Sequence, residues 1–120
     1  MPLFLDGEVR LTESIAILQY LAEPYGPTEL SVKGSEPGCA HYLQFLEVGE
    51  ATLATPLTAT VRTRFMAPKD QKANWTLENC KAVYLDRLKR VAHQLKTHDF
   101  MAVDRFTAAA IFGRLCAELR

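Results

Sequence analysis

The sequence predicts a mainly α chain fronted by a β-hairpin and one helix. Apolar residues recur at spacings of three and four from about Pro37 onward, which is the helical period. Before that point two short apolar segments flank Asp6-Gly7, a strong hairpin signal. The runs Glu23-Pro24-Tyr25-Gly26-Pro27 and Lys33-Gly34-Ser35-Glu36-Pro37-Gly38 punctuate the chain between these two regions.

Each element follows from its residues. Pro2-Leu3-Phe4-Leu5 and Glu8-Val9-Arg10-Leu11 read as two small antiparallel strands joined by a two-residue turn at Asp6-Gly7. Thr12 or Glu13 can cap the helix that follows, with Ile15, Leu18 and Leu21, and Ile17 beside them, as its apolar stripe until Pro24 stops it. A long helix comes next, with Leu43, Leu46, Glu50, Leu53 and Leu57 in one row and Phe45, Val48 and Thr52 in a second. Pro56 should kink it, because proline lacks the N–H that continues the ladder. After a loop at Ala67-Pro68-Lys69-Asp70, a second long amphipathic helix carries Leu77, Cys80, Tyr84, Leu88, Val91 and Leu95. A last helix from Thr107 to Leu119 is apolar on nearly all sides and is expected in the interior.

The chain has 120 residues, with 14 Lys+Arg against 14 Asp+Glu, and 48% of it is apolar. That is enough for one modest core, since a domain of this size buries roughly two-thirds of its unfolded surface. Zero net charge removes the electrostatic case for nucleic acid or an anionic membrane, and no apolar run approaches the ~18 residues of a membrane span. Cys39, Cys80 and Cys116 are odd in number and widely spaced, so they form neither a disulfide framework nor a zinc site; Cys80 and Cys116 sit on apolar stripes and are expected in the core. With no signal peptide, the expectation is a cytoplasmic protein with reduced thiols and no metal. The glycosylation match Asn74-Trp75-Thr76 then carries no meaning.

The segment Pro2-Leu3-Phe4-Leu5-Asp6-Gly7, then Leu11-Thr12-Glu13-Ser14-Ile15-Ala16-Ile17 and the pair Tyr20-Leu21, resembles the glutathione transferase family at the second half of its thioredoxin-like domain. Tyr42-Leu43-Gln44-Phe45 and Gly49-Glu50-Ala51-Thr52-Leu53 resemble the first long helix of the helical domain in bacterial-type members. Asp104-Arg105-Phe106-Thr107-Ala108-Ala109 resembles the start of its buried helix. The resemblance implies a partial thioredoxin-like, glutathione-binding domain over 1–24, a linker over 25–36, and an incomplete helical C-terminal bundle over 37–120. The family's strand-helix-strand unit, which carries the thiol-activating residue, has no counterpart here, nor do the last helices. The chain is therefore expected to be a truncated, internal piece of a transferase.

The resemblance assigns Glu13 and Ser14 to the amino-acid end of glutathione. Chemistry allows this: a helix N-terminus offers free N–H groups and a positive dipole end to a carboxylate, Ser14 adds a hydroxyl, and Glu13 can accept an ammonium. Judged on chemistry alone, simple capping by Thr12, Glu13 and Ser14 is the plainer role. Pro2 resembles the family's cis-proline, whose preceding residue, here Met1, pairs its backbone with the cysteinyl part of glutathione. Tyr42, Phe45 and Thr52 are the implied lining of an electrophile pocket. At the last helix the family has a glycine before the threonine and an aspartate after it; this chain has Val103 and Ala110, so the cap at Thr107 is expected to be weaker by roughly 0.5–2 kcal/mol.

His41, His93 and His98 lack a convincing catalytic partner in the sequence, and Cys39 and His41, two apart, do not face each other on a helix. Glu47 and Glu50 read as a solvated or interface-facing pair. The function implied by the resemblance is glutathione conjugation to electrophiles, with this chain keeping the glutamyl-anchoring half of the site and contributing no catalytic residue. The other reading is a non-catalytic helical module for dimerisation or protein contacts, since strands left uncovered expose apolar surface. Family members are commonly dimers, so a homodimer is also implied.

Overall fold

The computed structural model describes residues 2–23 and 29–111. Its elements match the expected class: a two-stranded hairpin, one short helix, then helices. Strands β1 (Phe4–Asp6) and β2 (Val9–Leu11) pair antiparallel with Phe4 opposite Leu11 and Asp6 opposite Val9. The turn residues are thus Gly7 and Glu8, one position later than Asp6-Gly7. Gly7 has φ +57°, and no described non-glycine residue has positive φ. That is the type II′ pattern, in which only the first central residue is left-handed, so the register settles where glycine alone takes that conformation.

Helix α1 (Ser14–Ala22) follows Glu13, whose backbone is extended. Ile15 and Leu18 pack on the core and Ala22 is buried, whereas Leu21 turns outward; the inner line runs through the small Ala22, which an apolar-stripe reading passes over. The Tyr20 hydroxyl donates to Asp6 Oδ2 at 3.0 Å, and the Phe4 and Tyr20 rings lie 5.8 Å apart. These contacts fasten the hairpin to α1.

The expected first long helix forms in three parts: α2 (Cys39–Glu47), a π-helical segment over Val48–Ala54, and α3 (Thr55–Met66). Pro56 explains the break. In a continuous α-helix the Thr52 carbonyl would accept the N–H of residue 56, but proline has none and its ring crowds that carbonyl. Arg87 supplies the missing donor, its Nη1 reaching the Thr52 oxygen at 3.1 Å. Tyr42, Phe45, Leu46, Val48 and Leu53 are buried, while Leu43 is exposed, contrary to its place in the expected row.

Helix α4 (Trp75–Thr97) starts at Asn74, whose side chain accepts from Leu77 N at 3.0 Å and donates to the Gln71 carbonyl at 2.6 Å. The asparagine of the glycosylation match is therefore a helix cap. Leu77, Tyr84 and Val91 are buried, Cys80 is only half-buried, and Leu95, in the last turns, is exposed. α4 packs mainly along α3 and more lightly on the π segment.

Arg105 ties the interhelical region to the start of the last helix. Its Nε donates to the Glu29 carbonyl at 2.9 Å, and its Nη2 to the Ser31 carbonyl at 2.9 Å and to Glu36 Oε2 at 3.0 Å. Thr107, Ala108 and Ala109 are buried, and the Ala108 N–H bonds the Leu30 carbonyl at 2.8 Å. Residues 108–111 are helical; the rest of the expected helix, with Cys116, lies outside the described residues. The Thr107 hydroxyl finds no hydrogen-bond partner among the described residues, in line with the weaker cap expected there. Val103 does not take a left-handed turn; it fills the space beside Gly38, where φ is +87° and an added Cβ would lie 2.7 Å from Val103 Cγ1.

The molecule is a slab of 51 × 41 × 18 Å with a Cα radius of gyration of 16.4 Å, against about 14 Å for a compact chain of this length. So thin a body leaves Leu3, Leu5, Phe65, Met66 and Trp75 exposed. No helix among the described residues is long and apolar enough to cross a membrane.

Candidate functional site

The hairpin register brings the sequence-derived anchor residues together. Because Phe4 pairs with Leu11, the residues before Phe4 and those after Leu11 share the open end of the hairpin. Pro2, Glu13 and Ser14 therefore lie at one end, beside the N-terminus of α1. The Met1–Pro2 bond, and with it the expected cis geometry, lies outside the described residues. Glu13 is exposed, and its side chain makes no capping bond; its carbonyl accepts from Ile17 N at 2.9 Å, the first bond of the helix. Ser14 is the first helical residue and half-buried, and its hydroxyl has no hydrogen bond among the described residues. The N–H groups of Ser14, Ile15 and Ala16 precede the first helical bond, so this end presents donors and a positive dipole end to an anion.

Tyr42 and Phe45 are buried on α2, and Thr52 is half-buried on the π segment. Tyr42 lies in the core at 3% exposure, and its hydroxyl has no hydrogen-bond partner among the described residues. Burial above all, with the charges of Glu23 and Cys39 adding, holds that hydroxyl's pKa above the ordinary phenol value. Thr52 offers its carbonyl to Arg87. Of the three, Phe45 lines the groove described next.

That groove, of about 400 Å³, lies between α2 and α4. His41, Gln44, Phe45 and Val48 line one side, at one-face helical spacing. Lys89, Arg90, His93 and Gln94 line the other. The sequence signals no partner for either histidine; the fold sets both on this groove, and only the facing periodicities of the two helices hint at it. Glu47 is exposed and Glu50 half-buried on the π segment, and neither lines the groove. Among the described residues no cluster of three or more His, Cys, Asp or Glu could hold a metal.

No protein-family profile matches the chain, and no curated protein does. Solved structures do. One is a glutathione transferase from Phanerochaete chrysosporium solved with oxidized glutathione, with a TM-score of 0.77, 16% identity, and coverage of 92% of this chain and 51% of that one. Another is a glutathione transferase homolog from Lodderomyces elongisporus with two glutathione molecules per subunit, at a TM-score of 0.78 and 21% identity, covering 96% of this chain and 54% of that one. The chain has the fold of part of a glutathione transferase, and spans about half the length of these two structures.

Proposed function

We propose that this chain is a glutathione transferase family protein, of bacterial type, that keeps the glutamyl-anchoring half of the glutathione site. On this reading residues 1–24 belong to the glutathione-binding domain, 25–36 link, and 37–120 belong to the helical domain. The observation that carries it is the free Ser14 hydroxyl at the first turn of α1, beside an uncommitted Glu13 carboxylate, at the end of the hairpin that Pro2 also occupies. The glutamyl carboxylate of glutathione accepts hydrogen bonds from the first-turn N–H groups and the Ser14 hydroxyl, while Glu13 accepts from its ammonium. The residue preceding Pro2 pairs with the cysteinyl backbone. In the intact family site a thiol-activating residue, borne by a part of the fold that this chain does not span, lowers the thiol's pKa, and the thiolate attacks an electrophile held against the helical domain. The protein acts as a cytoplasmic homodimer.

Calorimetric titration of the 120-residue chain with glutathione tests this. Saturable binding that Ser14→Ala weakens by about tenfold or more, the loss of one charge-assisted hydrogen bond, is the expected result. No binding heat from a chain that circular dichroism finds folded would overturn it. The isolated chain is expected to show little or no turnover with a chloronitroaromatic acceptor.

A further inference from the structure

The connection between α3 and α4 forms a tip with a chemistry of its own. Helices that pack along each other across a short connection run antiparallel, so the last turn of α3 and the first of α4 lie at one end of a helical hairpin, with residues 67–74 between them. The three most exposed large apolar side chains among the described residues all stand there: Trp75 at 77%, Met66 at 75% and Phe65 at 71%. Between residues 61 and 75, Arg62, Arg64, Lys69 and Lys72 stand against Asp70 as the single acid, a local excess of positive charge in a chain of zero net charge. Arg62, Arg64 and Lys69 are exposed and Lys72 is half-buried, and none of the four forms an ion pair among the described residues. On α3 the pairs Val61 with Phe65 and Arg62 with Met66 are each four apart, so an apolar row and a basic-apolar row run side by side to the tip.

We propose that this tip attaches the protein to the surface of a bilayer that contains anionic lipid. Net charge, the ground on which the sequence excludes such a membrane, averages this end away. Two attractions act together here. The unpaired basic residues are drawn to the negative surface, and Phe65, Met66 and Trp75 enter the boundary between headgroups and acyl chains, where an indole with its apolar body and its N–H settles. Each side chain is already exposed, so insertion removes apolar surface from water without unfolding anything. Charge complementarity selects an anionic bilayer over a neutral one. The end-on placement selects a plane over a peptide, which needs a groove or a sheet edge. A nucleic acid strand would use the charges, but Met66 and Val61 offer its bases no ring to stack on. No helix among the described residues is long and apolar enough to cross a membrane, so the attachment is peripheral.

Trp75 is the one tryptophan of the chain, so its fluorescence reports on the tip alone. The test titrates the 120-residue chain with vesicles of phosphatidylcholine, with and without phosphatidylserine, and sediments the vesicles to measure the bound fraction. Phosphatidylserine vesicles should shift the Trp75 emission to the blue, saturably, and about 1 M salt should reverse much of the binding. Neutral vesicles should bind far more weakly. Arg62→Gln and Lys69→Gln should each weaken partitioning about fivefold, and Phe65→Ser with Met66→Ser by about tenfold or more. These side chains are exposed, so circular dichroism should find the variants folded. Lys96→Gln, at the far end of α4, and Ser14→Ala, at the glutathione anchor, should change nothing. An unshifted Trp75 in a folded chain, equal binding to neutral vesicles, or equal weakening by Lys96→Gln and Arg62→Gln would each overturn the proposal. So would a blue shift that grows with protein concentration in the absence of lipid, which assigns the tip to a second copy, or tighter binding to a single-stranded oligonucleotide than to the vesicles.

Discussion

Removing the Arg105 side chain should cost more stability than any other single truncation of a surface charge in this protein. Its guanidinium holds the Glu29 and Ser31 carbonyls at 2.9 Å each, and a hydrogen bond from a charged donor contributes about 1.5–3 kcal/mol. The side chain is 28% exposed, so water recovers part of that, and about 2–4 kcal/mol is expected for Arg105→Ala. Against a total of about 5–15 kcal/mol this is a large share. With a urea slope of about 1–3 kcal/mol per molar, the unfolding midpoint at pH 7 should fall by roughly 1–2 M. Arg105→Lys should recover little, since an ammonium does not reproduce the fork. A midpoint for Arg105→Ala within about 0.3 M of the parent would refute the reasoning. The pH dependence adds a second check. The Lys33 N–H foremost, and then Arg105, hold the Glu36 carboxyl below its usual value of 4.5. A depressed folded-state value means stabilisation that is complete above the unfolded value and lost as pH falls through the folded one. The stability gap between the parent and Glu36→Gln should therefore be constant above about pH 5 and close below pH 4.5; a gap that widens on acidification contradicts it.

Three further substitutions test the packing. Gly38→Ala places a methyl against Val103 in a backbone conformation that costs about 1–2 kcal/mol by itself, so the thermal midpoint should drop by about 10 °C, and adding Val103→Ala should recover the collision part only. Arg87→Ala should destabilise the parent by about 1–2 kcal/mol in urea, but less in a Pro56→Ala background, where residue 56 regains an N–H for the Thr52 carbonyl; equal losses in both backgrounds would separate Arg87 from the proline break. Thr107→Val removes a buried hydroxyl without a partner and should be neutral or stabilising by up to about 1 kcal/mol, and a loss of more than that on denaturant titration would mean the hydroxyl is bonded.

The helices were legible because their signal is local. α1, α3 and α4 start and stop where Pro24, the loop at Ala67-Pro68 and the apolar period place them, and Pro56 marks its own disturbance. Leu21 and Leu43 fall on apolar rows in the sequence, but packing buries Ala22 and Gly49 and leaves the two leucines exposed. The hairpin turn slipped by one residue because backbone sterics, not dipeptide frequency, decide which residue is left-handed. The role of Arg105 has no local signal, since two of its three partners are backbone carbonyls and the third, Glu36, lies 69 residues away in sequence. The groove likewise depends on where α2 parts from α4, which periodicity alone does not specify.

The starts of α1, α2 and α4 bear on what Glu13 and Ser14 do. At α4 the cap is complete: Asn74 accepts the Leu77 N–H and anchors itself to the Gln71 carbonyl. At α2 the Cys39 N–H is taken by the Glu36 carbonyl at 3.3 Å. At α1 two residues with suitable oxygen atoms sit in the right place, yet the Glu13 side chain makes no capping bond and the Ser14 hydroxyl bonds nothing among the described residues. Capping is the role chemistry alone assigns them, and it is the role they leave unfilled. Open first-turn donors at the end of a hairpin gain most from an anion bound from outside, because water offers them only dispersed and mobile acceptors. The same feature that makes α1 the least self-sufficient of these helix starts is what a glutamyl carboxylate would complete.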